Sequence, residues 1–481
     1  MIAPARSPAV HRPVAAPVAV GSRSRSTGAT VAFACAAMLV SYLPFSAVNG
    51  VLGAIGASSG VGTHQLQWVT DAFTVALTGA VLSGGVLADR YGPRLITLVG
   101  MTLTVASTLV GWLTGILHGG GAVHLLWAGQ AVAGLGAGLV MSATLSLIAV
   151  TAPTATARTR AIAMWAGANV VGLGAGPFLS GTIADATSWR WLFPPISALA
   201  AAVFILGAIG ARESVTTGGR GLDLPGQAMS ALGVVALVYG VIQGGATGWT
   251  SVGALSGLSV GAVALAAFLV AEARSAAPLF RPQLFATRDF TAAGLAAMGV
   301  LFTVIGVVFV ESLVLAHQHV SDLGIAERLG CVFAGNAAAS LLAGRLQSRV
   351  SPRVVLTAGL LVAIVGLVTL RGINGATGLG DLAWRLVIVG AGCGTVVATS
   401  TAVAVQSVAP ELAGLAGTAN NVLRQLGGAL GAAVIGGIFA ARLAAGTGYA
   451  GAGHICATVL IGMLAATAAA VGGLLFARRV Q

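Results

Sequence analysis

Fourteen apolar runs, separated by short polar breaks, make up most of this 481-residue chain. They lie near 30–55, 66–88, 95–117, 122–149, 161–184, 191–211, 226–244, 252–271, 291–315, 327–346, 354–370, 382–407, 417–440 and 454–477. Each is close to or above the ~20 apolar residues that take a helix across a bilayer. The pattern predicts an all-α integral membrane protein of about 14 transmembrane helices. An even number returns both ends of the chain to one side. Residues 1–28 are rich in Pro, Ala, Ser and Arg, lack an apolar period, and read as a disordered tail. The run after them is too long for the core of a signal peptide and reads as the first span.

Composition agrees and removes several classes of function. At 57% hydrophobic and 7% charged, with a mean hydropathy of +0.96, the chain is far from the roughly 25% charged residues of soluble domains. The net charge of +12 is carried by arginines alone, scattered between apolar runs with no basic patch, which argues against nucleic acid as a partner. Their distribution gives the orientation. Loops after even-numbered runs, with the two tails, hold seventeen arginines, among them Arg90, Arg94, Arg158, Arg160, Arg349 and Arg353. The other face holds five: Arg190, Arg328, Arg371, Arg385 and Arg442. The positive-inside rule puts both termini in the cytoplasm.

The polar inventory gives no sign of an enzyme. The four cysteines, Cys35, Cys331, Cys393 and Cys456, sit in separate apolar runs at no ligand spacing and read as packing residues. His317-Gln318-His319 has no acid or cysteine partner at metal spacing, so polar interfacial residues are the better reading and no metal or cofactor is expected. There is no phosphate-binding G-x-x-x-x-G-K-[ST] loop. No His, Asp and Glu cluster stands where a lipid transferase or intramembrane protease would need it.

Between the second and third runs stands Gly85-Val86-Leu87-Ala88-Asp89-Arg90-Tyr91-Gly92-Pro93-Arg94. Its chemistry predicts a tight hairpin at the membrane surface. Gly85 would let another helix approach closely, Gly92-Pro93 would turn the chain, and Asp89, Arg90 and Arg94 would stay in water. Residues 344–359 repeat residues 85–100, 259 positions later, with six of sixteen identical and Ser348 in place of Asp89. The copies follow the second and the tenth runs. A duplicated six-helix unit with two helices inserted between the copies accounts for that spacing. The expected divisions are an N-tail at 1–28, a first bundle at 29–211, a linker with two helices at 212–290, a second bundle at 291–477 and a cytoplasmic tail at 478–481.

The stretch from Gly85 to Arg94 resembles the signature between helices two and three of the major facilitator superfamily. Other segments narrow the resemblance to the fourteen-helix drug:proton antiporters of the EmrB/QacA type. Leu66-Gln67-Trp68-Val69-Thr70-Asp71-Ala72-Phe73 is similar to that family's opening of helix two. Gly172-Leu173-Gly174-Ala175-Gly176-Pro177-Phe178-Leu179-Ser180-Gly181 is similar to its antiporter motif on helix five, with Ser188-Trp189-Arg190 following. Arg424-Gln425-Leu426-Gly427-Gly428 resembles its penultimate helix. In helix five, Gly172, Gly176, Ser180 and Ala184 recur at i+4 as one smooth face, and Pro177 can kink the helix. The expected partner of that face is a helix of the second bundle.

The resemblance implies a secondary exporter of small amphipathic drugs or antibiotics, cationic or aromatic among them, working by proton antiport and alternating access as a monomer in a bacterial cell membrane. Its partners would be a small-molecule substrate, protons and membrane lipid. The alternative is an exporter dedicated to one endogenous metabolite and not coupled to protons. Two departures bear on that choice. Aligned through Val48-Asn49, the acid expected on helix one falls on Pro44, and the arginine expected on helix four is Gln130. The remaining candidates for proton or substrate work are Asp71, Glu311, Gln130, Asn49 and Arg424, because ionisable groups at membrane depth are costly. Simpler readings stand beside these: Asp71 and Glu311 as interfacial residues, Arg424 as the partner of a carbonyl or an acid. The cytoplasmic gate would be formed by Gly85, Asp89, Arg90, Gly92 and Arg94, with Asp89 facing residues 417–420.

Overall fold

Each copy of the repeat turns the chain with a proline. Gly92, at φ 96°, ends one helix and Pro93 opens the next; Pro352 opens the corresponding helix of the second copy. The left-handed φ at Gly92 is one that an L side chain adopts only under strain. Proline fits the first turn because its missing N–H would have no helical partner there.

The computed structural model describes residues 23–114, 120–211, 224–274, 282–347, 349–371, 378–408 and 413–476. The first crossing is made by α1 (Arg23–Ser41), α2 (Leu43–Gly50) and α3 (Leu52–Ser59). It breaks at Tyr42, just before Pro44 in the first turn of α2, and again at Val51. Then come α4 (Thr63–Tyr91), α5 (Pro93–Leu113), α6 (Gly120–Thr151), α7 (Ala155–Ala186) and α8 (Phe193–Gly210). Next are α9 (Leu224–Thr247) and α10 (Val252–Arg274). The chain ends with α11 (Arg288–His317), α12 (Asp322–Leu346), α13 (Pro352–Leu370), α14 (Leu379–Gln406), α15 (Ala413–Ala444) and α16 (Gly448–Phe476). Among the described residues, 13 helices are long and apolar enough to cross a membrane. The fourteenth crossing is α4, whose parts Gln65–Val81 and Ser83–Tyr91 meet at 48°. Ser142 of α6 donates to the Val81 carbonyl at that bend (2.6 Å).

The packing repeats as the sequence does. In the first half α6 lies against α1, α4 and α5, and α8 against α1 and α5. In the second half α14 lies against α11, α12 and α13, and α16 against α11 and α13. Both halves use glycine to bring backbones together. A Cβ at Gly134 would strike the Phe73 carbonyl, and one at Gly390 the Val332 carbonyl. Without a hydrophobic force between helices in lipid, such close contacts hold them. Leu206, Ile209, Val263 and Leu341 point outward and present apolar surface.

The halves meet through α7 on α12, α4 on α15 and α3 on α11. The inserted pair α9–α10 lies to one side, where α9 packs on both α4 and α15 through Val234, Val238 and Ile242. The arrangement is thus two six-helix bundles plus two inserted helices. The expected tail at 1–28 is corrected in part: α1 already begins at Arg23, and residues 1–22 and 477–481 lie outside the described ones. Ser348 lies outside them too.

Candidate functional site

A cavity lies between the bundles, midway along the helices. Tyr42, Phe45 and Phe73 line it from one bundle, and Phe333, Asn336 and Arg424 from the other. The break before Pro44 places Tyr42 and Phe45 on this wall. Phe45 stacks on Phe73 (4.6 Å between centroids, 23°), and Tyr42 meets the same ring edge-on (5.7 Å, 67°). Gln425 donates across the bundles to the Tyr42 hydroxyl (2.9 Å). Arg424 donates to Asn421 Oδ1 (2.5 Å), while its Nε is buried without a partner among the described residues.

On the face opposite the arginine-rich hairpins, the space between the bundles is sealed. Ser312 of α11 donates to the Asn49 carbonyl (2.9 Å), and Gln67 of α4 to the Ala433 carbonyl of α15 (3.4 Å). Asp185, at the end of α7, accepts from the backbone N–H groups of Asp322 and Leu323 (2.9 and 3.1 Å), the first turn of α12. Two of that helix's unpaired donors are thus satisfied from the other bundle. On the cavity's other side, Asn421 Nδ2 lies 3.3 Å from the Met141 sulfur.

Asn49 joins three helices. Its amide donates to Phe45 O (2.8 Å), its side-chain oxygen accepts from Thr70 of α4 (2.9 Å), and its carbonyl receives Ser312. Beside Thr70, Asp71 is fully buried, and neither carboxylate oxygen has a hydrogen-bond partner among the described residues. At i+4 and i+3 spacing it shares a face with Gln67, in the seal, and Thr74, in the cavity wall. The simpler reading of Asp71 as an interfacial residue is therefore corrected: it stands within the helix, inside the protein. Glu311 is half-buried, two turns along α11 from the cavity residue Val304 and next to Ser312. Gln130 is buried, with its amide donating to the Pro44 carbonyl (3.2 Å). Asp71, Asn49 and Gln130 thus stand around the upper first bundle, Arg424 lies in the cavity, and Glu311 belongs to the facing helix.

Other expected positions moved. A Cβ at Gly85 would meet nothing within 4 Å among the described atoms; Gly84, one residue earlier, is the glycine packed on α6 at Leu139. One step along a helix turns the side chain by about 100°, which carries Gly85 off the contact. Arg90 lies over the Tyr91 ring (5.5 Å). Arg94, half-buried, reaches the end of α8, donating to the carbonyls of Gly207 (3.1 Å) and Ala208, where a cation also suits the helix dipole. The side chain of Thr418, in the segment expected to face Asp89, lies outside the described residues.

The smooth face of α7 is also corrected. Gly172 and Gly176 pack on α1 and α2 of their own bundle: a Cβ would strike the Leu39 carbonyl and Ser46, respectively. Ser46 donates to the Gly172 carbonyl (2.9 Å), and Gly50 sits over Pro177 and Ser180. Contact with the second bundle belongs to the next strip of α7: Gly174 beside Phe333, Phe178 against Gly330, Gly181 against the backbone of Asp322 and Leu323, and then Asp185. The sequence reading missed Tyr42, Asn169, Phe333, Asn336 and Asp185. Tyr42 carried a signal, an aromatic residue two positions before a proline inside an apolar run. The others had none beyond being polar or aromatic in a span.

The Major Facilitator Superfamily model matches residues 34–432 of the chain. The chain is 31% identical over 405 residues to the multidrug resistance protein Stp of Mycobacterium tuberculosis, covering 83% of this chain and 73% of that one. It is 29% identical over 430 residues to the cephamycin export protein CmcT of Amycolatopsis lactamdurans, covering 86% of each. Among solved structures, a bacterial homologue of the human lysosomal transporter Spinster, in an inward-facing and occupied conformation, superposes with a TM-score of 0.67 at 15% identity, over 94% of this chain and 96% of that one.

Proposed function

Because the chain belongs to the major facilitator superfamily, as a multi-pass membrane transporter of small molecules and not an enzyme, we propose that it exports amphipathic drug-like or antibiotic-like compounds by proton antiport. The arginine-rich face is cytoplasmic, both termini with it, in a bacterial plasma membrane, and the sealed face is exterior. The bundles rock about the central cavity, opening it to one side at a time. Each bundle is a unit, divided near residues 211 and 290, in keeping with α8 ending at Gly210 and α11 beginning at Arg288. The cavity is built within one chain, so the monomer is the working unit.

One observation carries the coupling. Asp71 is fully buried with both oxygens unpartnered, on the face of α4 that runs from the seal to the cavity. A lone carboxylate in such a setting costs several kcal/mol, so the site needs a proton or a cation as its counter-charge. A proton taken up from the exterior when the seal opens, and released when the cavity opens inward, would link the gradient to export. Glu311, beside the seal on the facing helix, is a second carrier. The cytoplasmic hairpin, Gly85 to Arg94, is the latch of the opposite state, with Asp89 against the start of α15. A second reading, export without proton coupling, is favoured by one observation: the Gln130–Pro44 contact holds no charge.

The test is transport into inside-out vesicles with and without an imposed pH gradient. Accumulation of a multidrug panel that collapses with the gradient supports the antiporter. Accumulation indifferent to the gradient supports the uncoupled exporter, and no accumulation of any compound refutes both.

A further inference from the structure

The charge in the cavity points to a class of substrate, on the premise that the cavity is the exporter's binding site. Arg424 is the one charged residue among those lining it, and no Asp or Glu does so among the described residues. No described carboxylate forms an ion pair with it; its hydrogen bond goes to the neutral Asn421 oxygen. Its Nε is buried and unsatisfied. Neither Asp71 nor Glu311 is among the residues lining it.

A half-buried guanidinium without an acid partner is costly, and its fork of N–H groups is shaped for a planar anion taken two oxygens at a time. Across the cavity, Asn169 on α7 holds its buried Nδ2 donor near the Tyr42 hydroxyl but short of full hydrogen-bond geometry. Two unsatisfied donors thus border a space whose remaining walls include stacked Phe45 and Phe73 and edge-on Tyr42. A cation would meet like charge here. A neutral molecule would leave the guanidinium unpaired.

We infer that the preferred cargo is an organic anion: an apolar or aromatic body bearing a carboxylate or similar planar acid, with the acid on Arg424 and Asn169 and the body on the Tyr42, Phe45 and Phe73 rings. Arg424 is then a specificity-determining residue.

Three probes sharing one ring system test this: 2-naphthylacetate, 2-naphthaleneethanol and (2-naphthylmethyl)trimethylammonium. Their binding to the full chain in lipid nanodiscs is measured by equilibrium dialysis against empty nanodiscs. The acetate should bind about ten- to a hundred-fold tighter than the alcohol, the span expected of a charge-assisted hydrogen bond, with the ammonium weakest. Arg424→Gln should erase the gap between acetate and alcohol, and Arg424→Lys should restore part of it. The parent measurement needs no variant, so the inference does not depend on Arg424→Gln folding. An ammonium or alcohol bound as tightly as the acetate by the parent, or no saturable acetate binding, overturns the inference. So does an acetate preference that survives in Arg424→Gln. Vesicle transport is read separately: gradient-driven export without acid preference sinks this inference and leaves the antiporter standing.

Discussion

Gln130 donates its side-chain amide to the carbonyl oxygen of Pro44, 3.2 Å away. These are the two positions where the sequence resemblance led one to expect a basic and an acidic residue, so a neutral hydrogen bond stands where a charged pair would. The contact pins α6 to the break in the first crossing that exposes Tyr42 and Phe45 to the cavity. Removing a neutral bond of this kind costs about 1 kcal/mol. Gln130→Leu should therefore lower thermal stability modestly, as read by a melting curve of the purified protein, and leave the pH dependence of transport unchanged. A changed pH profile would mean the site takes part in coupling.

Two glycines of one helix should behave differently. Leucine at Gly176 would press on Ser46 and Ala47 within the first bundle, whereas leucine at Gly181 would press on the Asp322–Leu323 backbone of the second. Overpacking a tight contact costs about 1–3 kcal/mol or more. Gly176→Leu should reduce the yield of folded protein on size exclusion. Gly181→Leu should fold, and should raise exterior labelling of a cysteine placed at Leu173 in the cavity wall.

Asp185 offers a gentler way to open the same seal. Its carboxylate binds two N–H groups of α12 but is itself exposed, so solvent screens much of the gain. Asp185→Ala should shift the balance by about 1 kcal/mol, several-fold in the open-to-closed ratio. Distances between spin labels on the exterior ends of α7 and α12, measured by pulsed electron resonance, should lengthen in a larger fraction of molecules. An unchanged distance distribution would show that the bond does not hold the seal.

The fold was legible because membrane spans are written in long apolar runs and the duplication left a readable echo, Gly85 to Arg94 against Gly344 to Arg353. Helix facing was less legible. In a chain where nearly every face carries glycine or alanine, spacing shows that a strip is smooth but not what it touches. The contacts of Gly176 with Ser46 and of Gly84 with Leu139 are not written in the spacing, for that reason. The candidate site was half legible. A charge at membrane depth is conspicuous, which singled out Asp71 and Arg424. Asp185 lies at a helix end where an acid is ordinary, and only the fold brings it to the N-terminus of α12. Asn49 stood out through its alignment, but its role as a three-helix junction depends on Thr70 and Ser312, two unremarkable hydroxyls.

The central claim is that Asp71 carries the coupled proton. The most direct test follows a compound exported by the parent in inside-out vesicles, comparing Asp71→Asn under two conditions. With an imposed pH gradient, the variant should accumulate no more than vesicles lacking a gradient. In gradient-free exchange, where labelled and unlabelled compound simply swap across the membrane, it should match the parent, because binding and rocking remain. Glu311→Gln and the double variant, run alongside, show whether Glu311 shares the load. Gradient-driven accumulation by Asp71→Asn and by the double variant at the parent's level would contradict the account.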